Sequence, residues 1–155
     1  MAKVNRYHAD GFFPLGEPPA RRTMLADAVN IVKGDIIADN GSGYATNAVT
    51  AFSSAVLGVA AADCDNSAGS AGDKSVEYYP IDMKTQYIVP VEANAKITRT
   101  AIGTIVDLEN NDDIDISDTS IASGAGFFID DIDISSDAIT ANDYGYAIGH
   151  FTFQS

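Results

Sequence analysis

Two copies of an aspartate-rich sequence contain the residues with the clearest chemical potential. Asp-Asp-Ile-Asp-Ile-Ser occupies residues 112–117 and recurs unchanged at 130–135. Carboxylate oxygens at this density could bind calcium, which takes roughly six to eight oxygen ligands. Alternation of acidic and apolar residues is also typical of a strand that faces Ile inward and Asp outward. Asp113 and Asp115 would then share one face instead of surrounding an ion, so we interpret the repeats as a solvated acidic surface and predict no metal ligand.

The two histidines do not indicate catalysis. His8 lies in a segment predicted to be extended, and His150 lies on a predicted strand near the C-terminus. A Ser-His-Asp site needs a histidine held beside a nucleophile, and no Gly-x-Ser-x-Gly elbow is present. Carboxylate pairs could serve a glycosidase, but such a site also needs an aromatic sugar cleft, and the chain contains no Trp. We interpret His150 as a strand residue between aromatic neighbours.

The cysteine and the glycine-rich segments also lack a recognisable site. Cys64 is the only cysteine, so no intramolecular disulfide can form. Its neighbours Asp63 and Asp65 would raise the pKa of the thiol, which argues against a reactive nucleophile. The glycines at 41–43 and in the segment 67–72 are not followed by the Lys-Ser/Thr of a phosphate-binding loop. We therefore expect no enzymatic activity and no cofactor.

The charge of the chain restricts its partners. Its 155 residues carry a formal net charge of −13, which disfavours binding to nucleic acid or to anionic membranes. Residues 1–33 contain five basic and three acidic residues, a net of +2, whereas the chain after Thr100 has eleven acidic residues and no Lys or Arg. No secretory signal or membrane span is predicted, since residues 1–10 are interrupted by charges and the longest apolar stretch, 55–62, is short. We expect a soluble protein made in the cytoplasm.

Residues 1–22 are predicted to form an extended N-terminal arm. Three of the five prolines lie within residues 11–20, where they disfavour both a helix and a central strand. The apolar residues of this segment could fold back onto their own domain or dock on a neighbouring subunit. For the docking interpretation, the predicted contact residues are Phe12, Phe13, Pro14, Leu15, Arg21 and Arg22.

Residues 23–155 are predicted to form a single β domain. Segment 23–32 could be one short helix or the lead-in to a strand. Turn signals such as Asn40-Gly41 separate β-rich runs, and the predicted strands lie at residues 36–38, 44–51, 55–62, 75–79 and 86–91, with further strands after 96. About eight to ten short strands and at most one brief helix are typical of a small barrel or sandwich. The sequence predicts the strands but not their order.

Several of these segments resemble the capsid decoration, or head cement, proteins of tailed bacteriophages. The resemblance spans residues 29–150. It rests on a "GD" strand start, a "GVAA" strand, a "DNS" turn, an "AGD" turn and two later strands, at Val32–Ala38, Val56–Ala62, Asp63–Ser67, Ala71–Asp73, Thr85–Val91 and Thr100–Leu108. It implies an all-β, β-tulip-like fold.

The resemblance also implies a role. Decoration proteins are not enzymes; they bind the outer surface of an expanded capsid, often as trimers, and reinforce it. We therefore expect a homotrimer on the virion surface with the major capsid protein as partner, the basic arm facing the shell and the acidic half facing solvent. Two alternatives stay open. One is a non-catalytic β module of a head fibre or tail that contacts host glycans through exposed tyrosines, and the other is a tail-tube subunit.

Overall fold

A computed structural model describes residues 11–91, 97–119, 124–133 and 145–154. Within them lie thirteen β-strands and one 3-10 turn at Arg99–Ala101. The strands are β1 (Phe13–Leu15), β2 (Arg22–Leu25), β3 (Asn30–Ile31), β4 (Ile36–Asp39), β5 (Ala45–Thr46), β6 (Val56–Ala60), β7 (Cys64–Asp65), β8 (Ser75–Pro80), β9 (Gln86–Pro90), β10 (Ile105–Asn110), β11 (Asp113–Asp115), β12 (Phe127–Asp133) and β13 (Tyr146–Phe151). The described ranges contain no helix that is long and apolar enough to cross a membrane.

The strands form two large antiparallel sheets and a short ribbon. The six-stranded sheet has the order β1-β9-β13-β12-β10-β11, the five-stranded sheet has the order β2-β8-β6-β4-β5, and β3 pairs with β7. The sheets pack as a sandwich, so the predicted all-β sandwich is confirmed; the alternative of a closed barrel is not what forms.

Alternate residues of the five-stranded sheet enter two different cores. Ile36 and Val59 pair across β4 and β6 and face the six-stranded sheet, where the largest apolar cluster includes five aromatic side chains: Phe12, Phe52, Tyr87, Phe127 and Phe151. Ile37 and Ala60 point the other way, into a smaller cluster that the β3–β7 ribbon covers with Ile31 and Cys64. Because both faces are buried, β4 and β6 read as continuous apolar runs in the sequence.

The strand predictions agree with the structure in the central segments. Predicted strands 36–38, 55–62, 75–79 and 86–91 correspond to β4, β6, β8 and β9, and the predicted partner of β4 is β5, although β5 has only two residues. The prolines at 80 and 90 end β8 and β9, as their missing N–H groups favour. Segment 23–32 contains β2 and β3 and no helix, because β2 pairs along its whole length with β8.

The first aspartate repeat departs from the predicted pattern. Ile114 is buried as expected, but Asp113 is also buried, at 3% exposure. Its carboxylate accepts hydrogen bonds from the backbone N–H of Asn110 at 2.8 Å and from the Asn110 side chain at 3.1 Å. The aspartate therefore closes the β10–β11 turn from within, and the prediction that it faces solvent is wrong.

The second repeat contains a β-bulge. Ile129 pairs with Gly149 and Asp131 pairs with Ile148, so Asp130 is an extra residue between two ladder positions. A single inserted residue exchanges the two faces of the strand that follows. The bulge turns Ile132, which pairs with Ala147, toward the main core, where it is half-buried as the predicted inward residue. Asp133 lies on the opposite face, across from Tyr146, and is nevertheless buried, at 9% exposure, so the prediction that it faces solvent is wrong. Residues 134–135 of this repeat lie outside the described residues, as do residues 1–10 of the predicted arm and its His8.

Candidate binding surface

The predicted arm residue Phe12 belongs to the core of its own domain. It is 1% exposed, and its ring centroid lies 5.5 Å from Phe127, 5.6 Å from Phe151 and 6.4 Å from Phe52. A side chain enclosed in this way cannot reach another subunit, so the prediction that Phe12 is a contact residue is wrong. For this residue the structure matches the interpretation that the segment folds back onto its own domain.

Two glycines bring the segment against the domain. Gly11 and Gly34 have φ values of +123° and +97°, and a Cβ built on either one would lie 3.1 Å from the Cα of the other. This close approach lets the Phe12 N–H donate to the Gly34 carbonyl at 2.9 Å, while the Gly11 N–H donates to Asp112 at 2.8 Å. Only glycine combines positive φ with so little bulk. A single sequence does not reveal this long-range contact, and the arm interpretation therefore missed it.

The segment then enters the sheet as the edge strand β1, in which Phe13 pairs with Ile88 and Leu15 with Gln86. Phe13 and Pro14 are half-buried, and Leu15 is 38% exposed. The described part of the predicted arm is thus attached through β1. Side chains become exposed from Leu15 onward, so residues 15–22 form a mostly exposed stretch, with Pro18 and Pro19 half-buried, that we call the contact segment.

The contact segment borders an open cleft of about 570 Å³. The cleft is lined by Leu15, Glu17, Pro18, Pro19, Asp82, Met83, Lys84, Thr85, Gln86, Asp130 and His150. Leu15 and Met83 are exposed at 38% and 48%, which leaves two large apolar side chains open to solvent at its rim. Three carboxylates and one lysine give the cleft a lining of mixed polarity. Such a surface suits contact with another macromolecule better than it suits an enclosed small molecule.

The polar floor of the cleft is a hydrogen-bonded group around the bulge residue. Asp130 Oδ2 lies 2.8 Å from His150 Nδ1 and accepts a hydrogen bond of 3.2 Å from Gln86 Nε2. Among the described residues that line the cleft, Thr85 carries the only hydroxyl, and it donates to Asp82 at 3.0 Å. The histidine is therefore held by a carboxylate without a nucleophile beside it. His150 lies on β13 as predicted. The alternation of acidic and apolar residues in the sequence did not predict that Asp130 would contact it.

The two predicted contact arginines lie at the far end of the contact segment. The Arg21 guanidinium carbon is 5.5 Å from the Tyr79 ring centroid, and its nitrogens lie 3.4 Å from Glu77 Oε1 and from the Tyr79 hydroxyl. Arg22 begins β2 and is exposed. An exposed ion pair contributes little to stability, about 0–1 kcal/mol. Both cations are accordingly available to a partner.

The tyrosines within the described ranges do not form an exposed aromatic platform. Tyr78, Tyr87 and Tyr146 are 7%, 0% and 4% exposed, and Tyr79 is half-covered beneath Arg21. Burial raises the pKa of Tyr87, whose hydroxyl has no hydrogen-bond partner within the described ranges. Tyr144 lies outside those ranges. Glycan sites use ring faces that are open to solvent, and these buried rings do not provide them.

The half-buried Asp115 and the exposed Asp65 are engaged in turns. Asp115 Oδ1 accepts from the Ser117 hydroxyl at 2.6 Å, and Asp65 Oδ1 accepts from the Ser67 hydroxyl at 2.5 Å. These hydrogen bonds lower the pKa of both carboxyls. No group of three or more His, Cys, Asp or Glu side chains in the described part of the chain is arranged to hold a metal ion. The structure thus offers a contact surface as its main candidate site.

The chain matches no protein-family model, and no curated protein or solved structure shows significant similarity to it.

Proposed function

We propose that this protein is a non-enzymatic component of a phage virion that binds the outer surface of the capsid and stabilises the shell. It would contact the major capsid protein and associate as a homotrimer. One observation carries the proposal: the short motifs that resemble decoration proteins hold the fold together as one connected unit.

The "GD" and "GVAA" motifs meet directly. The Gly34 N–H donates to the Ala60 carbonyl at 2.9 Å, and the Ala60 N–H donates to Asp35 at 2.8 Å. The Asp35 carboxylate is buried and accepts hydrogen bonds of 2.9 Å from the Val32 N–H and from the Asn47 side chain. The turn and the strand therefore form one hydrogen-bonded unit.

The "DNS" and "AGD" turns form the second half of the unit. The Asn66 side chain is 1% exposed, and its amide donates to the carbonyls of Ala26, Asp27 and Ser70 at 3.3, 3.1 and 2.9 Å. The Gly72 N–H donates to the same Ala26 carbonyl at 2.9 Å. One buried asparagine thus fixes both turns, so these motif residues are needed for the fold and not for chemistry.

The proposed contact with the shell uses the contact segment. Leu15, Arg21 and Arg22 are exposed, and they supply an apolar anchor and two cations in a chain of net charge −13. Apolar and arginine side chains often dominate binding energy at interfaces. The acidic remainder would face solvent and keep the particle surface soluble. The tail or fibre module for host glycans is the weaker alternative, given the buried tyrosines.

Co-sedimentation with expanded phage heads that lack decoration tests the proposal. The triple variant Leu15→Asp, Arg21→Glu, Arg22→Glu should lower capsid occupancy more than tenfold, because the loss of about 1.4 kcal/mol already gives a factor of ten. The matched control is Val32→Asp, which alters another exposed apolar residue, at 45% exposure, outside the contact segment. Equal occupancy for the wild type and the triple variant would contradict this contact, and no binding by the wild type would contradict the function.

A further inference from the structure

The loop between β4 and β5 contains the only Asn-Gly pair of the sequence, at Asn40 and Gly41. The backbone nitrogen that follows an asparagine can attack its side-chain amide, and glycine places no side chain in the way of this nitrogen. A bond forms between Gly41 N and Asn40 Cγ, the bond from Cγ to Nδ2 breaks, and ammonia leaves. The Gly41 proton passes to solvent, and the leaving nitrogen takes a proton from water. Water then opens the five-membered ring and gives aspartate or isoaspartate.

The side-chain amide of Asn40 is held at both of its ends. Its Oδ1 accepts hydrogen bonds from the Ser42 N–H at 2.8 Å and from the Tyr44 N–H at 3.3 Å. Its Nδ2 donates to Asp27 Oδ2 at 3.0 Å, and this hydrogen bond lowers the pKa of Asp27. Three hydrogen bonds therefore fix the orientation of the group that would react, and the nitrogen that would depart is the one that Asp27 holds.

The attacking nitrogen is also engaged. The Gly41 N–H donates to Asp39 Oδ1 at 2.8 Å, and the Gly43 N–H donates to the same oxygen at 3.1 Å. An amide nitrogen becomes a good nucleophile only after it loses its proton. A carboxylate is far too weak a base to remove that proton, and its negative charge disfavours an anion beside it. Asp39 therefore opposes the first step of the reaction, and Asp27 opposes the departure of ammonia.

We propose that Asn40 is a latent modification site, a reactive Asn-Gly pair that the folded loop keeps from deamidating, with Asp27 and Asp39 as the positioning residues. Deamidation then proceeds from molecules in which the loop has opened locally. Asn40 is exposed, so water has access to the ring that forms. The inference concerns a different part of the chain from the contact segment and does not depend on the proposed function.

Modification prevents the loop from closing again. Aspartate at position 40 has no N–H to donate to Asp27, and its charge adds a third carboxylate to a loop that already holds Asp27 and Asp39. Isoaspartate also lengthens the main chain by a methylene group, which displaces the register in which Asp39 pairs with Ala45. The same sheet edge relies on the Asp27 N–H, which donates to the Ala45 carbonyl at 2.8 Å. Each modification event therefore weakens this edge irreversibly.

The rate of deamidation in the folded and in the urea-unfolded wild type, at one pH and temperature, tests the inference without any substitution. Trypsin cleavage after Lys33 and Lys74 releases peptide 34–74, whose mass gain and isoaspartate content are followed by tandem mass spectrometry. We expect the reaction at Asn40 to be at least about tenfold slower in the folded protein, because only the open fraction of the loop reacts. Equal rates, or a faster reaction in the folded protein, would overturn the inference.

Substitutions identify the protecting residue. Asp27→Ala removes the acceptor for Nδ2 and should raise the rate in the folded protein at least about fivefold. Asp27→Asn retains an acceptor oxygen and should restore most of the protection. The matched control Asp65→Asn alters an aspartate that also accepts from a turn N–H, and it should leave the rate unchanged. If circular dichroism shows that Asp27→Ala does not fold, Asp39→Asn should give the same increase. A folded variant of either positioning residue that reacts at the wild-type rate would contradict its role.

Discussion

Replacement of Phe12 by alanine should destabilise the folded domain by about 3–5 kcal/mol, the cost typical of a buried phenylalanine. Phe12 is 1% exposed, and three phenylalanine rings lie within 6.4 Å of its centroid. Each aromatic pair adds about 0.5–1.5 kcal/mol beyond simple burial. The site cannot readily collapse, because Phe151 is already held by Phe52 at 5.7 Å and by Phe127 at 5.5 Å. We therefore expect the upper half of the range.

The assay is urea unfolding followed by circular dichroism, with extrapolation to water. A domain of this size has a stability of about 5–15 kcal/mol, so the Phe12→Ala variant should remain folded but unfold at a much lower urea concentration. The matched control is Phe13→Ala, which removes a half-buried ring from the next residue and should cost about 1–2 kcal/mol. A change of less than about 1 kcal/mol for Phe12→Ala would refute the core placement and restore the free-arm interpretation.

The central strands could be predicted because their signals are local. Ile36 and Val59 lie in continuous apolar runs flanked by turns, and this pattern suffices to identify buried strands. The location of Phe12 could not be predicted in the same way, since an apolar ring in a proline-rich segment suits a core and an interface equally. The long-range contact of Gly11 with Gly34 places Phe12 in the core, and a single sequence does not reveal that contact.

The candidate surface was predictable only in part. Leu15 and the two arginines were named from composition, and all are exposed. The polar floor of the cleft beside them depends on the bulge at Asp130. Alternation of apolar and polar residues does not reveal a bulge, because the extra residue looks like any other residue of the strand. Strand order likewise follows from long-range pairing.

Three further predictions test the internal framework. Gly58→Ala should cost about 3 kcal/mol in urea unfolding, because the new Cβ would collide with the Tyr79 carbonyl oxygen; an unchanged midpoint would contradict the strand packing. Asn66→Ala should cost about 2–3 kcal/mol and Ser67→Ala under about 1 kcal/mol, since only the first removes three hydrogen bonds to backbone carbonyls; equal losses would count against the role of the asparagine. Burial raises the pKa of Asp35 above its ordinary value. The wild type therefore loses stability as pH rises from the ordinary pKa of the carboxyl toward the raised pKa of the folded state. The difference in free energy of unfolding between the wild type and Asp35→Asn should accordingly shrink between about pH 3 and about pH 7. A widening advantage would show that the sign is wrong.

Electron cryomicroscopy of virions that carry this protein tests the capsid role most directly. The proposed function predicts density for the β-sandwich on the outer surface of the shell, with residues 15–22 toward the major capsid protein and the acidic strands toward solvent. Density for the sandwich in the tail or in a fibre, with an undecorated shell, would contradict it.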